Sequence, residues 1–302
     1  MVKEKILISL VGPTAVGKTV ISIGLANALN TDIISCDSRQ FYREMNIGTA
    51  KPTKEELSQA THHFINSHSI HDVFTAGDYE KEAFTLVNKL FKTKDILILT
   101  GGSGLFEKAV VEGFDNLPKA NVSLREKLNN ELEENGIESI LSQLKELDPD
   151  SYNSVEKTNP RRVLRALEIY LSEGKPLSYY QKQKEPRPFK IIRIGLTMER
   201  EKLYSRVNQR VDNMVQEGLI EEVKSLQEFK HLNTLQTVGY TEIFKYLDGE
   251  VSLDKAIEQL KQNTRRYAKR QLTWFRKYPD LTWVKDAKLE DLIDFVKEEL
   301  NS

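Results

Sequence analysis

Apolar and polar positions change their spacing along the first third of the chain. Three short apolar runs are typical of buried strands: residues 5–11, 32–36 and 95–100. Between them, the segments that begin at Lys18 and Asp78 repeat apolar residues every three or four positions, as helices do. The stretch from about residue 37 through His71 has neither pattern, and we expect loops there. This alternation predicts an α/β fold with a parallel sheet.

Beyond residue 117 the strand pattern stops and helical spacing takes over. Asn159 and Pro160 form a typical N-cap and first helical residue, and Gly174 is a typical stop, so a helix is predicted between them. We therefore predict an all-helical domain, residues 118–188, inserted into a core domain made of residues 1–117 and 189–302.

The chain then returns to the pattern of the core. An apolar run at 191–196 predicts another strand of the sheet, and a long helix is predicted from about Arg200. That helix places Arg206 and Arg210 on one stripe, opposite its apolar side. Further helices follow, with a short strand predicted at 281–284.

A phosphate-binding motif occupies the turn between the first strand and the first helix. Its residues fit G-x-x-x-x-G-K-[ST] in full: Gly12, Pro13, Thr14, Ala15, Val16, Gly17, Lys18 and Thr19. Glycine at both ends lets successive N–H groups face one anion, Lys18 adds a positive charge, and Thr19 offers a hydroxyl to Mg²⁺. The motif predicts a P-loop NTPase-like core and a ligand with a diphosphate or triphosphate. Kinases, GTPases, motor ATPases and some group transferases share it.

Two further polar positions follow buried strands, at the edge where parallel α/β sheets bind ligands. Asp37 comes directly after the second strand, and Ser103 lies in a glycine-rich turn after the third. On this pattern alone, Asp37 fits a metal-binding aspartate and a general base equally well. Three strand ends are thus predicted to meet at one site.

The residues from Asp37 to Pro52 closely resemble a block of bacterial tRNA dimethylallyltransferases, D-S-x-x-x-Y-x-x-M-D-I-G-T-A-K-P. The resemblance continues in the family's order through five further segments: His62-His63, Gly101 to Phe106, Asn159 to Glu168, Gly239-Tyr240 and Ala268 to Trp274. Motifs similar to the family's therefore span nearly the whole chain, and they favour a general base at Asp37.

The chain departs from the family pattern at four positions. Ser103 stands where the family usually has threonine and Phe106 where it has tyrosine, so the hydroxyl and the ring are kept. Asn46 and Asn66 replace aspartates that are common in the family. Any salt bridge made by those carboxylates is therefore absent here.

The resemblance implies a transfer of a dimethylallyl group from dimethylallyl diphosphate to the exocyclic N6 amine of the adenine immediately 3′ of a tRNA anticodon. It implies that Asp37 is the general base, that Ser103 orients the reacting groups, and that Arg210 joins the phosphate loop in binding diphosphate. The adenine must leave the stacked loop to reach such a site. Two alternatives stay open: an adenylate (free-nucleotide) isopentenyltransferase, and a P-loop small-molecule kinase that binds ATP.

The formal net charge is −1, although a tRNA-binding protein needs a basic surface. Cations crowd two helical segments, Arg161 to Arg165 and Arg265 to Lys277. We expect no nearby acids to neutralise them, which favours RNA binding over a solvated helix face. With the family motifs, this predicts tRNA contacts at Asp37, Ser38, Arg39, Gln40, Ser103, Arg125, Arg161, Arg162, Val163, Leu164, Arg165, Gly239, Tyr240, Arg265, Lys269 and Arg270.

The composition indicates an intracellular enzyme, because 39% of the 302 residues are hydrophobic and 29% are charged. The single cysteine, Cys36, is expected to be a small buried group. His62 and His63 point apart on a strand, so a zinc site is not expected. No run reaches the ~18 apolar residues of a membrane span. We predict a cytoplasmic monomer that uses tRNA, dimethylallyl diphosphate and Mg²⁺.

Overall fold

The computed structural model describes residues 4–115, 117–181 and 186–301. The chain divides into two compact units, residues 1–111 with 187–302 and residues 112–186. These divisions lie slightly before the predicted boundaries at 117/118 and 188/189. The reason is that the last core helix before the insertion ends at Val111, ahead of the Leu117-Pro118 signal in the sequence.

Within the described residues, six parallel strands form one sheet in the order β3-β2-β4-β1-β5-β6. Their bounds are β1 Ile6–Val11, β2 Ile33–Ser35, β3 His62–His63, β4 Ile96–Gly101, β5 Lys190–Thr197 and β6 Leu281–Lys285. Strand β1 pairs with β4 on one side and β5 on the other, and all six of its residues are buried. The predicted α/β fold with a parallel sheet is confirmed.

Helices of the core unit cover both faces of this sheet. The α-helices of the described residues in both units are α1 Lys18–Leu29, α2 Lys54–Gln59, α3 Ala76–Leu90, α4 Gly104–Val111, α5 Val122–Leu147, α6 Pro149–Ser154, α7 Pro160–Glu173, α8 Leu177–Tyr180, α9 Arg200–Gln216, α10 Leu219–Ser225, α11 Thr241–Leu247, α12 Leu253–Phe275 and α13 Leu289–Asn301. Ile8 and Leu10 of β1 pack with α1 and α13. On the other face, Val11 packs with Phe275 of α12, and the Ser9 hydroxyl donates to Glu107 of α4.

A second apolar cluster of the core unit joins helices α9 to α12 to the segment that follows β2. Tyr42 and Met45 of that segment are buried together with Val211, Leu219 and Tyr240. The segment is therefore held against these helices, although its own sequence has no regular period.

The helical unit, residues 112–186, is built from α5 to α8. Its core contains Leu144 of α5 packed with Val163 and Leu167 of α7. Helix α7 begins and ends where the sequence predicts, because the Asn159 side chain accepts from the Arg162 N–H and Gly174 adopts a φ of 65°. Helix α5 is interrupted at Gly136, whose φ of 75° is not helical.

The predicted loop-rich stretch from about residue 37 through His71 contains two short regular elements. Helix α2 forms because Thr53 and Glu56 make a reciprocal capping box, and the short strand β3 pairs with β2 at the edge of the sheet. A strand of two residues has no period that a sequence pattern can reveal. Among the described residues, no helix is long and apolar enough to cross a membrane.

Candidate functional site

A cavity of about 520 Å³ lies at the carboxyl ends of the central strands of the core unit. The phosphate loop after β1, Asp37 after β2 and Gly102 after β4 all contribute to its wall. Helices α9 and α12 close the opposite side, with Arg210 and Tyr267 among the lining residues. The three strand ends that the sequence pattern predicted to converge therefore share one cavity.

The phosphate loop has the geometry of an anion site. Gly17 takes a φ of 106°, which other residues rarely adopt, and precedes α1 without any side-chain cap on the helix N-terminus. The first N–H groups of α1 are thus left for a ligand. The Lys18 ammonium donates to the backbone oxygens of Gly12 at 2.9 Å and Pro13 at 2.8 Å. Lys18 and Thr19 both line the cavity.

The cavity has more positive than negative side chains, since Lys18 and Arg210 both line it and Asp37 is the carboxylate beside them. The pKa of Lys18 is lowered to about 8, mainly by burial and in smaller part by nearby Arg210, and Asp37 opposes both effects. Burial also lowers the pKa of Arg210, again opposed mainly by Asp37. Two cations therefore share a partly dry site with one carboxylate. An anionic ligand would relieve their repulsion and stabilise their charged forms.

Asp37 and Ser103 lie on adjacent turns that hydrogen bonds hold together. The Asp37 carboxylate accepts from the Arg39 N–H at 3.0 Å, while the Ser103 hydroxyl accepts from the Ser38 N–H at 3.1 Å and lies 3.0 Å from the Ser38 hydroxyl. Tyr267 also hydrogen-bonds Ser103, and burial together with Asp37 raises the pKa of this tyrosine to about 12. The sequence analysis named no role for Tyr267.

Glu222 of α10 holds the loop that forms another wall of the cavity. Its carboxylate accepts from the N–H groups of Asn46, Ile47 and Gly48, at 3.0, 2.8 and 3.0 Å, and from the Tyr240 hydroxyl at 2.7 Å. Gln40 fixes the next part of the loop, because its amide donates to the backbone oxygens of Thr49 and Ala50. No sequence signal distinguishes Glu222 from other acids of an amphipathic helix.

The side chain of Tyr240 is fully buried against Gly48, where an added Cβ would lie 2.6 Å from the tyrosine ring. Gly239 also packs on Gly48, with a φ of 104°. In this structure these two residues support the loop from inside. Their predicted contact with tRNA stays a prediction, and it would have to be indirect or through backbone atoms.

Lys51 is held by neutral groups in the same region. Its ammonium donates to the Tyr42 backbone oxygen at 2.7 Å and to the side-chain oxygens of Asn46 at 3.0 Å and Asn66 at 2.6 Å. Burial lowers the pKa of Lys51 to about 8, and Glu222 and Glu44 offset part of this effect. The two asparagines that depart from the family pattern thus contact one lysine.

Helix α12 carries exposed cations on its outer side. Lys269 and Arg270 line a shallow, open pocket together with Arg266, Thr273, Trp274 and Lys277. Within the part of the chain that the structure describes, no ion pair joins Lys269 or Arg270 to an acid. Arg265 points differently, since its guanidinium donates to the Asn208 side chain at 2.5 Å.

The arginines of the helical unit have acidic partners, so the expectation of no neutralising acids was wrong there. Arg125 and Arg165 both contact the carboxylate of Glu168, at 3.0 and 2.9 Å, and the Glu168 side chain is 1% exposed. Arg162 pairs with Glu156 at 2.9 Å. The pairs arise because Glu168 lies one helical turn after Arg165 and packing brings α5 beside it.

Val163 and Leu164, also predicted to contact tRNA, belong to the apolar core of the helical unit. Their exposed fractions are 0% and 8%. Their side chains therefore position the neighbouring arginines. Arg161 is exposed, and none of the described residues pairs with it.

The histidine pair of β3 has separate environments. His63 lies 2.9 Å from the Asp32 carboxylate, and His62 contacts the Ala60 backbone oxygen and lines the cavity. Burial lowers the pKa of His62. Cys36 is fully buried, and burial raises the pKa of its thiol, so it is a packing residue under the site.

Comparison with known proteins places this site in a family. The model of the family described as IPP transferase matches residues 40–278. The chain is 48% identical over 298 residues to a tRNA dimethylallyltransferase of Christiangramia forsetii, covering 98% of this chain and 99% of the other. It is 49% identical over 284 residues to the tRNA dimethylallyltransferase of Flavobacterium psychrophilum, covering 92% of each.

Solved structures agree with these sequences. A full-length tRNA isopentenylpyrophosphate transferase of Bacillus halodurans is 39% identical, with a TM-score of 0.74 and 99% and 97% of the two chains covered. A eukaryotic dimethylallyltransferase acting on tRNA is 26% identical, with a TM-score of 0.80 over 98% of this chain and 77% of the other. The match spans the phosphate loop, the Asp37 segment and the insertion alike. The predicted resemblance is thus confirmed, and the chain belongs to the IPP transferase family.

Proposed function

We propose that this protein transfers the dimethylallyl group of dimethylallyl diphosphate to the N6 amine of the adenine immediately 3′ of a tRNA anticodon. The observation that carries the proposal is the single cavity shared by the phosphate loop, Asp37 and Arg210. An anion site and a carboxylate base at the same edge of the sheet suit a displacement at carbon with diphosphate as the leaving group. With tRNA as its substrate, we expect the protein to act in the cytoplasm as a monomer.

The cations of the cavity act on the leaving group. The bond between C1 of the dimethylallyl group and the diphosphate oxygen breaks, so negative charge grows on the diphosphate. Lys18, Arg210 and the N–H groups at the start of α1 face that charge, and desolvation strengthens their effect. Binding the developing charge more tightly than the ground state is what accelerates the reaction.

Asp37 acts on the adenine amine that accepts the dimethylallyl group. An aromatic amine is a weak nucleophile because its lone pair is delocalised, and it becomes stronger as a base removes its proton. The Asp37 carboxylate takes the N6 proton while the bond from N6 to C1 forms. Ser103, held by Ser38 and Tyr267 beside Asp37, orients the amine.

The donor atoms of the cavity fit Mg²⁺ in part. Thr19 lines the cavity and offers the hard oxygen that Mg²⁺ prefers. Among the described residues, no group of three or more His, Cys, Asp or Glu side chains is arranged to hold a metal. Thr19 would thus help to hold the ion, which when bound would neutralise diphosphate charge.

We assign RNA binding to polar and cationic side chains of both units. Arg39, Gln40, Lys269 and Arg270 of the core unit, with the exposed Arg161 of the helical unit, are our leading candidates for binding the anticodon stem-loop. The target adenine must be extruded from its stack to meet Asp37.

Mass spectrometry of nucleosides tests the proposed function. The purified protein, with dimethylallyl diphosphate and Mg²⁺, should convert unmodified tRNA to a species that carries N6-dimethylallyladenosine next to the anticodon. Adenosine monophosphate serves as the alternative acceptor in a parallel reaction. Prenylation of the mononucleotide without any product on tRNA would contradict the proposal and favour a free-nucleotide enzyme.

The role of Asp37 is tested by Asp37→Asn, which keeps the size of the side chain and removes the base. We expect kcat to fall by ~10²–10⁴, with KM for tRNA nearly unchanged. Asp294→Asn on the exposed side of α13 is the matched control and should keep the full rate. A rate for Asp37→Asn within about threefold of the unmodified enzyme would remove Asp37 from the mechanism.

A further inference from the structure

Gln271 of α12 joins two of the three turns that form the cavity. Its side-chain oxygen accepts from the Thr14 N–H of the phosphate loop at 2.8 Å, and its side-chain nitrogen donates to the Gly102 backbone oxygen at 2.9 Å. The residue is 5% exposed. We propose that Gln271 is a positioning residue for the transfer reaction, which sets the phosphate loop at a fixed distance from the turn that carries Ser103.

This inference rests on the proposed function, because it takes the phosphate loop as the site of the leaving group and the Ser103 turn as that of the acceptor. The two turns follow different strands, β1 and β4. Thr14 and Gly102 lie past the last paired residues of those strands, so the hydrogen bonds of the sheet do not fix the distance between the turns. Gln271 is a side chain that reaches both turns. In-line displacement depends steeply on the distance between the reacting atoms, so a small slip between these turns costs rate.

A glutamine side chain can make both hydrogen bonds, one to the Thr14 N–H and one to the Gly102 oxygen. The Thr14 N–H requires an acceptor and the Gly102 oxygen requires a donor, and the glutamine amide supplies one of each. Glutamate would lose the donor, and methionine would lose both groups while filling a similar volume. A buried, doubly bonded amide also has little freedom to rotate, which suits a spacer between two turns.

The space at residue 102 is matched to this side chain. A Cβ built on Gly102 would lie 2.2 Å from the Gln271 side-chain nitrogen, so any larger residue there displaces the amide. Gly102 does not have a positive φ, so alanine is compatible with its backbone. Gly102→Ala therefore removes the Gln271 bridge without a change at position 271.

Helix α12 makes a second contact with the same turn. Tyr267 lies four residues before Gln271, on the same side of the helix, and hydrogen-bonds Ser103. The outer side of the helix carries Lys269 and Arg270. The element that holds the two turns in place is thus also one that offers charge to RNA.

Single-turnover transfer with saturating tRNA tests the proposal in the full-length protein. Gln271→Met should lower the rate of transfer by ~10–100-fold, with the Kd for tRNA changed by less than about twofold. Gln262→Met, an exposed glutamine of the same helix, is the matched control and should match the unmodified enzyme. A structural role alone would lower the melting temperature and the active fraction without changing the rate per active site.

The double variant Gly102→Ala with Gln271→Ala distinguishes loss of the Gln271 hydrogen bonds from a general loss of structure. Gly102→Ala should lower the rate by about as much as Gln271→Ala, and it should cost less than about twofold in the Gln271→Ala background, because the atom it displaces is gone. This comparison stands even if Gln271→Met does not fold.

Two results would overturn the inference: a Gln271→Met rate equal to that of the unmodified enzyme, or a Gly102→Ala loss that is undiminished in the Gln271→Ala background. Failure of the proposed function is a different outcome, because the unmodified enzyme itself would then transfer nothing to tRNA.

Discussion

The cations of α7 and those of α12 were predicted to bind RNA for the same reason, their crowding on one helix, yet their surroundings differ. On α7, Arg162 pairs with Glu156, and Arg165 shares the buried Glu168 with Arg125. On α12, neither Lys269 nor Arg270 has an acidic partner within the described residues. Both helices crowd cations in sequence, but acids pair with most of those of α7 and, in the described part of the chain, leave Lys269 and Arg270 of α12 unpaired.

The difference distinguishes cations that stabilise the fold through ion pairs from cations that are available to bind a ligand. RNA affinity comes largely from counterions released when cations meet phosphates, and a cation already paired with a carboxylate contributes less to that release. The buried ion pairs of α7 specify how α5 and α7 pack. Helix α12 is therefore the stronger candidate for binding the tRNA backbone, and Arg161 is the main free cation of α7 among the described residues.

Matched double variants put this comparison to its most sensitive test. Lys269→Ala with Arg270→Ala should weaken tRNA binding by about tenfold to a hundredfold. The slope of log K against log salt should fall by roughly 1.4–1.8, because each phosphate that is no longer neutralised accounts for about 0.7–0.9. Arg161→Ala with Arg162→Ala should reduce the slope by less than half of that, since Arg162 is already paired. Filter binding across a salt series measures both.

Dimethylallyl diphosphate binding serves as the control, because neither pair of cations lines the main cavity. Equal reductions of the slope for the two double variants would mean that pairing with an acid does not reduce a cation's contribution to tRNA binding. A larger reduction from α7 would reverse the comparison.

The substitution Glu168→Gln removes the buried acid that pairs with two arginines of the helical unit and has no counterpart, among the described residues, beside Lys269 and Arg270 of α12. It leaves Arg125 and Arg165 without their counter-charge, so the free energy of unfolding should fall by about 1–2 kcal/mol. The same variant should steepen the salt dependence of tRNA binding, because two arginines are released. Denaturant titration and the salt series check these effects, with the exposed Glu173→Gln of α7 as the control. Unchanged stability together with an unchanged slope would contradict the role assigned to Glu168.

Lys51 extends the comparison to a cation whose direct partners are all neutral. With the pKa of Lys51 lowered to about 8, the folded state binds this proton less tightly than the unfolded state, which costs stability at neutral pH. Asn66→Asp supplies a carboxylate and should raise the pKa of Lys51. The free energy of unfolding at about pH 7 should then rise by about 0.5–1 kcal/mol. The gain should decline as the pH rises through about 8, where the folded-state lysine begins to lose its proton, and it should be gone by about pH 10.4.

Denaturant titrations at about pH 7 and about pH 10.4 measure the effect on Lys51. The exposed Asn233→Asp is the control, because it adds the same charge away from the lysine. Equal stabilisation by both variants would show that net charge alone is responsible, and the special position of Lys51 would be lost.

The parts of the structure that the sequence predicted well are those set by neighbours in the chain. The phosphate loop and the ends of α7 follow from local spacing, since Gly17, Asn159 and Gly174 act on the turn they belong to. Glu222 and Gln271 act on residues far along the chain, and their side chains carry no local mark of that role. Glu168 pairs with Arg165 one helical turn away, but its second partner, Arg125, lies on α5. Partner choice at such distances depends on packing, which single-sequence patterns do not contain.

The order of strands in the sheet has a consequence for synthesis of the chain. Central strand β1 needs both β4 and β5 as neighbours, but β5 begins at Lys190, after the whole helical unit has been made. A nascent chain that has passed Gly101 therefore keeps one side of β1 unpaired, an apolar edge that invites aggregation. The helical unit is continuous in sequence and can fold during that interval. The insertion thus lengthens the time for which one side of β1 stays unpaired during synthesis.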